Sequence, residues 1–212
     1  NYFHNLVING TSAASGTGYV TGTFDGLKKI LSGSDTEYTS AVDISTSALM
    51  DSNYNAYLDE LDGFISKLAE KPDILLMNNE LLTKTRAAAR RAGFYERSVD
   101  GFGRTVEKYN GIPMMDVGQY YNGTKTVDVI ETTTPSATAY GETAIYAAKL
   151  GLNAFHGISV DGSKMVHTYL PDLNAPGAVK KGEVEMLAGA VLKNSKMAGV
   201  LKGIKVKPKT AG

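Results

Sequence analysis

The longest helical periodicity lies between about Thr46 and Glu70. Leu49, Met50, Tyr54, Tyr57, Leu58, Leu61, Phe64, Ile65 and Leu68 recur at the i, i+3, i+4, i+7 spacing of one buried stripe. Ser45 or Ser47 is available as N-cap, and Pro72 stops the pattern. About six turns predict a rod roughly 35 Å long, against an expected radius of gyration of about 17 Å, so this helix crosses the domain as a spine. Asp59, Glu60 and Asp62 fall away from the apolar stripe and read as a solvated face.

Asp73–Asn78 is a short apolar run, the signature of a buried strand. Asn78 or Asn79 then caps a second helix through Leu81, Leu82, Thr85 and Ala89 to Ala92, with Gly93 suited to a left-handed stop. Its cations, Lys84, Arg86, Arg90 and Arg91, gather toward the C-terminal end and complement the macrodipole. Beyond it the pattern turns to strands. Arg104–Tyr109 and Ile112–Val117 flank the turn signal Asn110-Gly111. Thr126–Ile130, Thr143–Ala148 and Met165–Leu170 are further strands, and Glu183–Leu192 reads as one long strand. Asn194 opens a short turn or helix through Met197–Leu201. Residues 9–23 are rich in Gly, Ser and Thr without a period and read as a loop. Helices early and mostly antiparallel strands late make an α+β class.

Composition narrows the chemistry. The 212 residues contain no Cys, which removes disulfides, thiolate metal sites and cysteine nucleophiles together. No stretch of 18 apolar residues spans a membrane, and the apolar start Tyr2–Ile8 lacks the basic region of a signal peptide. Because the chain opens at Asn1 inside that apolar stretch, it reads as the later part of a longer protein.

Lys+Arg and Asp+Glu are 22 each, so no global field attracts nucleic acid. The zero is nevertheless a sum of unlike parts. Residues 1–62 carry Asp25, Asp35, Glu37, Asp43, Asp51, Asp59, Glu60 and Asp62 against Lys28 and Lys29. After Glu185 only cations follow: Lys193, Lys196, Lys202, Lys205, Lys207 and Lys209. Two readings stand: solvated faces that partly cancel on folding, or complementary surfaces between copies of the chain. On the second, charge reversal at Lys202, Lys205 and Lys207 changes assembly or its salt dependence.

Catalytic signals are missing. His4, His156 and His167 show no HxxxH or HExxH spacing, and neither Gly16-Thr17-Gly18 nor Gly101-Phe102-Gly103 completes a phosphate-binding pattern. There is no GxSxG elbow, SxxK pair or Walker A motif. No catalytic, cofactor-binding or metal-ligating residue is assigned.

The ordered series of segments carries a resemblance. Phe24-Asp25-Gly26-Leu27-Lys28-Lys29-Ile30-Leu31 leads to the long helix, and Pro72–Asn78 precedes Arg86-Ala87-Ala88-Ala89-Arg90. Then come Tyr109–Met114, Thr143–Gly151 and Val184–Leu192, closing at Leu201-Lys202-Gly203-Ile204. Over residues 20–206 this resembles the HK97-like major capsid protein of tailed bacteriophages, or a prophage copy.

The resemblance implies a peripheral (P) part in 1–72 with the spine at about 46–70, a mainly axial (A) part in 73–180, and a return to the P part in 181–212. An N-terminal arm and E-loop would precede Asn1. It also implies a structural subunit, not an enzyme, that assembles with copies of itself as pentamers and hexamers. The resulting icosahedral shell encloses double-stranded DNA without sequence specificity. Scaffold, portal or decoration proteins are its further implied partners, and its place is the virion capsid, assembled in the host cytoplasm. The alternatives are an encapsulin-type nanocompartment shell and an α+β enzyme with a site near residues 10–25.

Overall fold

Where local signals are strongest, the chain takes the expected form. A computed structural model describes residues 2–12, 20–21, 24–93, 96–99, 103, 105–134, 139–159, 165–171 and 178–209. Helix α1 (Tyr2–Asn9) comes first, then the parallel pair β1 (Gly10–Thr11) and β2 (Val20–Thr21), helix α2 (Leu27–Leu31) and strand β3 (Glu37–Thr39). Helix α3 (Ser47–Ser66), strand β4 (Ile74–Met77) and helix α4 (Asn79–Ala92) follow. The next strands are β5 (Glu96–Val99), β6 (Thr105–Tyr109), β7 (Ile112–Asp116), β8 (Gln119–Tyr121), β9 (Thr126–Asp128) and β10 (Gly141–Ala148). The last are β11 (Phe155–Ile158), β12 (Val166–Tyr169), β13 (Glu183–Met186), β14 (Gly189–Leu192) and β15 (Ala198–Lys207). Of the 9–23 loop, the described part is thus the end of α1 and the short β1–β2 pairing.

The cap of α3 is neither Ser45 nor Ser47 but Thr46, whose Oγ1 accepts from the Leu49 amide at 3.2 Å. The helix ends at Ser66, short of Glu70. The reason is tertiary: the Ala69 amide donates to the Lys196 carbonyl instead of continuing the helix. Helix α4 matches its local signals. Asn78 Oδ1 accepts from the Leu81 amide, and Gly93 closes the helix in the left-handed region at φ 81°. The Asn110-Gly111 turn takes positive φ at both residues, 50° and 74°, as a two-residue hairpin requires.

Seven strands form one mixed sheet in the order β3-β15-β10-β4-β7-β6-β5. Alternation sends its side chains into two cores. Leu75 and Met77 of β4 and Ile145 and Ala147 of β10 face α3 and α4, joining Tyr57, Leu61, Phe64 and Leu81. Ile74, Leu76, Tyr146 and Ala148 face the other way, toward Ile8 of α1, Leu27 and Leu31 of α2, and Val129 and Ile130. Within the first core the Tyr57 hydroxyl lies 2.7 Å from Thr85 Oγ1, tying α3 to α4. Thr85 donates its own proton to the Leu81 carbonyl, so Tyr57 is the donor of this pair.

The C-terminal strands correct two expectations. Residues 198–201 are strand rather than turn or helix; only Ser195–Met197 forms a 3-10 turn, capped by Asn194. The segment 183–192 is two short strands in two separate two-stranded sheets. Over Ala198–Leu201 both faces of β15 are buried, so alternation is lost there and returns only over Ile204–Lys207. A bulge adds to this: Ile145 opposes Leu201 while Thr143 opposes Ile204, one extra residue on β15. The shift keeps both Leu201 and Ile204 in the helix-side core, and it needs Gly203 at φ 76°. Gly203→Ala is expected to cost about 1–2 kcal/mol in urea unfolding, since a side chain there is strained whatever the space.

Candidate functional site

Strands β11 to β14 leave the body as a two-stage ribbon. At its root β11 pairs with β14, and Phe155 and Leu192 pack onto the second core. Farther out β12 pairs with β13, with Val166 opposite Met186 and Thr168 opposite Val184. Directly paired residues share a face, so these four side chains form one face of the ribbon. The other face carries His167 opposite Glu185 and Tyr169 opposite Glu183.

The ribbon is therefore amphipathic, yet its apolar face is uncovered: Val166, Val184 and Met186 are 48%, 72% and 47% exposed. Two four-residue strands are marginally stable alone in water. Uncovered apolar side chains on such an element mark an interaction surface.

A second unfinished surface lies at the far edge of the main sheet. Strand β5 pairs only with β6 among the described strands. On the helix side of this edge Arg97 lies opposite Glu107, and Arg86 of α4 holds Glu107 through Nε at 2.8 Å. On the other side Val106 is half-buried and Met115 is exposed, because α1 and α2 do not extend over them.

A cavity of about 650 Å³ lies between α1, α2, the 129–133 segment and the sheet. Lys28, Glu131, Glu142, Tyr120 and Tyr146 are among its walls, and none of the described residues of 10–25 is. Burial pushes the Lys28 ammonium below its ordinary value, opposed by Glu131. At 10–25 the described polar contact is structural: Asp25 accepts from both the amide and the hydroxyl of Ser12, which hold its carboxyl below the usual range.

The three histidines fall on α1, β11 and β12, and no group of three His, Asp or Glu gathers among the described residues. Asp59 and Asp62 are exposed on α3 as expected, whereas Glu60 accepts from Ser40 Oγ and from the Ala41 amide. No described helix is long and apolar enough to cross a membrane.

The unlike charge excesses meet within one chain. Parallel pairing of β15 with β3 places Lys202 Nζ 2.7 Å from Glu37, and Lys207 reaches Glu80 at 3.2 Å. Lys205 sits over the Tyr140 ring and beside Asp43. Of the two readings of the charge pattern, cancellation on folding accounts for these lysines. Reversing them is expected to act on subunit stability.

Lys202 and the Gly33 amide hold the Glu37 carboxyl below its usual range, and the Leu150 amide and Lys149 do the same for Asp73. A carboxyl depressed on folding stabilises above its unfolded value, and that share is lost as pH falls through the folded value. Stability is thus expected to be flat from about pH 7 to 5 and to fall progressively below about pH 4. Glu37→Gln with Asp73→Asn should flatten that fall in pH-dependent urea unfolding.

No family model matches the chain, and no curated protein sequence matches it. Among solved structures it is similar to the subunit in the cryo-electron-microscopy structure of the holo-SrpI encapsulin complex from Synechococcus elongatus PCC 7942. The TM-score is 0.62 at 13% identity over 95% of this chain, which spans 60% of that subunit's length. A crystal structure assigned as a prophage capsid protein of E. coli CFT073 overlaps 77% of this chain and 48% of its own, at TM-score 0.43 and 13% identity.

Proposed function

The chain has the HK97-like α+β fold, and from it we propose that this protein is a structural subunit that assembles with copies of itself into a closed shell. The observation that carries the reading is the overlay of 95% of the chain on an encapsulin subunit. The uncovered apolar face of the ribbon supports it, because a shell protein works through repeated contacts between copies.

The finer reading is the major capsid subunit of a tailed phage or prophage, enclosing double-stranded DNA in the virion after assembly in the host cytoplasm. Zero net charge suits a wall that holds DNA without tight binding. In this reading 1–72 and 181–212 belong to the peripheral part and 73–180 mainly to the axial part. The encapsulin overlay favours a second reading, a nanocompartment around cargo protein.

Electron microscopy of the protein expressed from its whole gene tests the shell. Icosahedral particles or capsomers are expected, and a strictly monomeric product overturns the proposal. Nuclease-protected DNA inside the particles selects the phage head; a co-purifying enzyme without DNA selects the nanocompartment.

A further inference from the structure

We propose that the β12–β13 ribbon of one copy adds edge-on to strand β5 of a second copy, continuing the seven-stranded sheet across the boundary between subunits. The contact rests on the self-assembly reading above and specifies which surfaces meet.

Three properties of the two elements match. First, both are unfinished: β5 offers an open edge of main-chain donors and acceptors, and each ribbon strand pairs on one side only among the described strands. Second, their lengths agree, since β5, β12 and β13 are each four residues. Third, their charges agree in sign: Glu183 and Glu185 share one face of β13, and Arg97 marks the helix side of β5. With these faces aligned, Val184 and Met186 stand on the side of Ser98, and Val106 and Met115 follow on the next two strands inward.

Placing β13 next to β5 thus closes two sheet edges and brings Glu185 to Arg97 in one step. The opposite alignment would set Glu183 and Glu185 on the side of Ser98, away from Arg97, so the charges select the orientation.

The ribbon springs from the β10 and β15 end of the sheet, and β5 is the last strand at its other edge. One subunit therefore offers both halves of the contact on different surfaces. Such a head-to-tail contact closes into rings when the rotation fits, which is the geometry a capsomer needs.

The absence of cysteine in the chain makes the test clean, because any disulfide must come from introduced residues. With Arg97 opposite Glu185, Ser98 lies opposite Val184 in an antiparallel pairing and opposite Met186 in a parallel one. Ser98→Cys is combined with Val184→Cys, and separately with Met186→Cys, in the protein expressed from its whole gene. Oxidised particles of one of these pairs are expected to give covalent multimers, and each single variant few. As a second measurement, Glu183→Arg with Glu185→Arg should reduce assembled particles about tenfold without moving the melting temperature, since both side chains are exposed. Particles that form normally from the charge variant, with neither cysteine pair crosslinking, overturn this contact and leave the shell reading standing. A wild-type protein that stays monomeric removes both.

Discussion

Asn78→Ala is expected to lower the unfolding free energy by roughly 3 kcal/mol, a lost cap plus buried acceptors left without their donor. The side chain is 1% exposed and works at both ends. Its Oδ1 accepts from the Leu81 amide at 2.9 Å, starting α4. Its Nδ2 donates to the Ile130 carbonyl at 2.9 Å and to Thr132 Oγ1 and Thr143 Oγ1, each at 3.1 Å. Both hydroxyls have already committed their protons, Thr132 to Glu80 and Thr143 to the Glu131 carbonyl. Only a donor fits at Nδ2. Asn78→Asp keeps the cap and removes that donor, putting a carboxylate oxygen against three acceptors. Its carboxyl must therefore titrate above the ordinary value of about 3.9, so its stability is greatest at low pH and is lost as pH rises through that raised value. Urea unfolding between pH 4 and 8 should show a deficit growing with pH for Asn78→Asp and a constant one for Asn78→Ala. Equal, pH-independent losses below about 1 kcal/mol in both variants would show that the amide is no hub.

Gly26→Ala should be about as severe, roughly 2–4 kcal/mol, through overpacking against main chain. A Cβ at residue 26 would stand 2.7 Å from the carbonyl oxygens of Leu6 and Ile8 and 2.8 Å from the Gly10 amide. None of these atoms belongs to a side chain that could swing away. The Gly26 amide also donates to the Gly10 carbonyl at 2.9 Å, locking the start of α2 against the end of α1. Making room means moving α1 off the second core, where Ile8 packs with Leu27 and Leu31. Hydrogen exchange should accordingly quicken in α1 while α3 and α4 keep their protection. Unchanged exchange in α1 together with an unchanged melting temperature would show that the close approach is relaxed at no cost.

Both positions were within reach of the sequence, at different depths. A cap at Asn78 or Asn79 is readable because capping is decided within four residues, and the structure selects Asn78. Its second role is not readable, because Ile130 and Thr143 are 52 and 65 residues away. Gly26 stood in the Phe24–Leu31 segment that carried the family resemblance, yet only the seating of α1 shows why glycine is required there. The N-cap of α3 illustrates the same limit at short range. Ser45, Thr46 and Ser47 are three consecutive hydroxyls, and only the backbone turn selects the middle one.

The ribbon was half legible. Alternation in Met165–Leu170 is visible in the sequence, but Glu183–Leu192 ran together as one strand because its break, Leu187-Ala188, is as apolar as its flanks. That its apolar face lacks a cover cannot be read from any window of residues.

By itself, then, the sequence determined what local chemistry can determine: the two long helices, the stop of α4, the Asn110-Gly111 turn, and the ordered series of segments that points to an HK97-like fold. The tertiary structure alone decided three things. It set which charges cancel, because Glu37 and Lys202 meet only when β3 and β15 pair across 165 residues. It made 198–201 strand, because burial on both faces there erases the period that would announce it, and it set the bulge at Gly203. And it left one edge of β5 without a partner among the described strands and the apolar face of the ribbon exposed. Caps and turns are fixed by neighbours a few bonds away, whereas strand partners and exposed faces depend on which distant segments win the competition for one another.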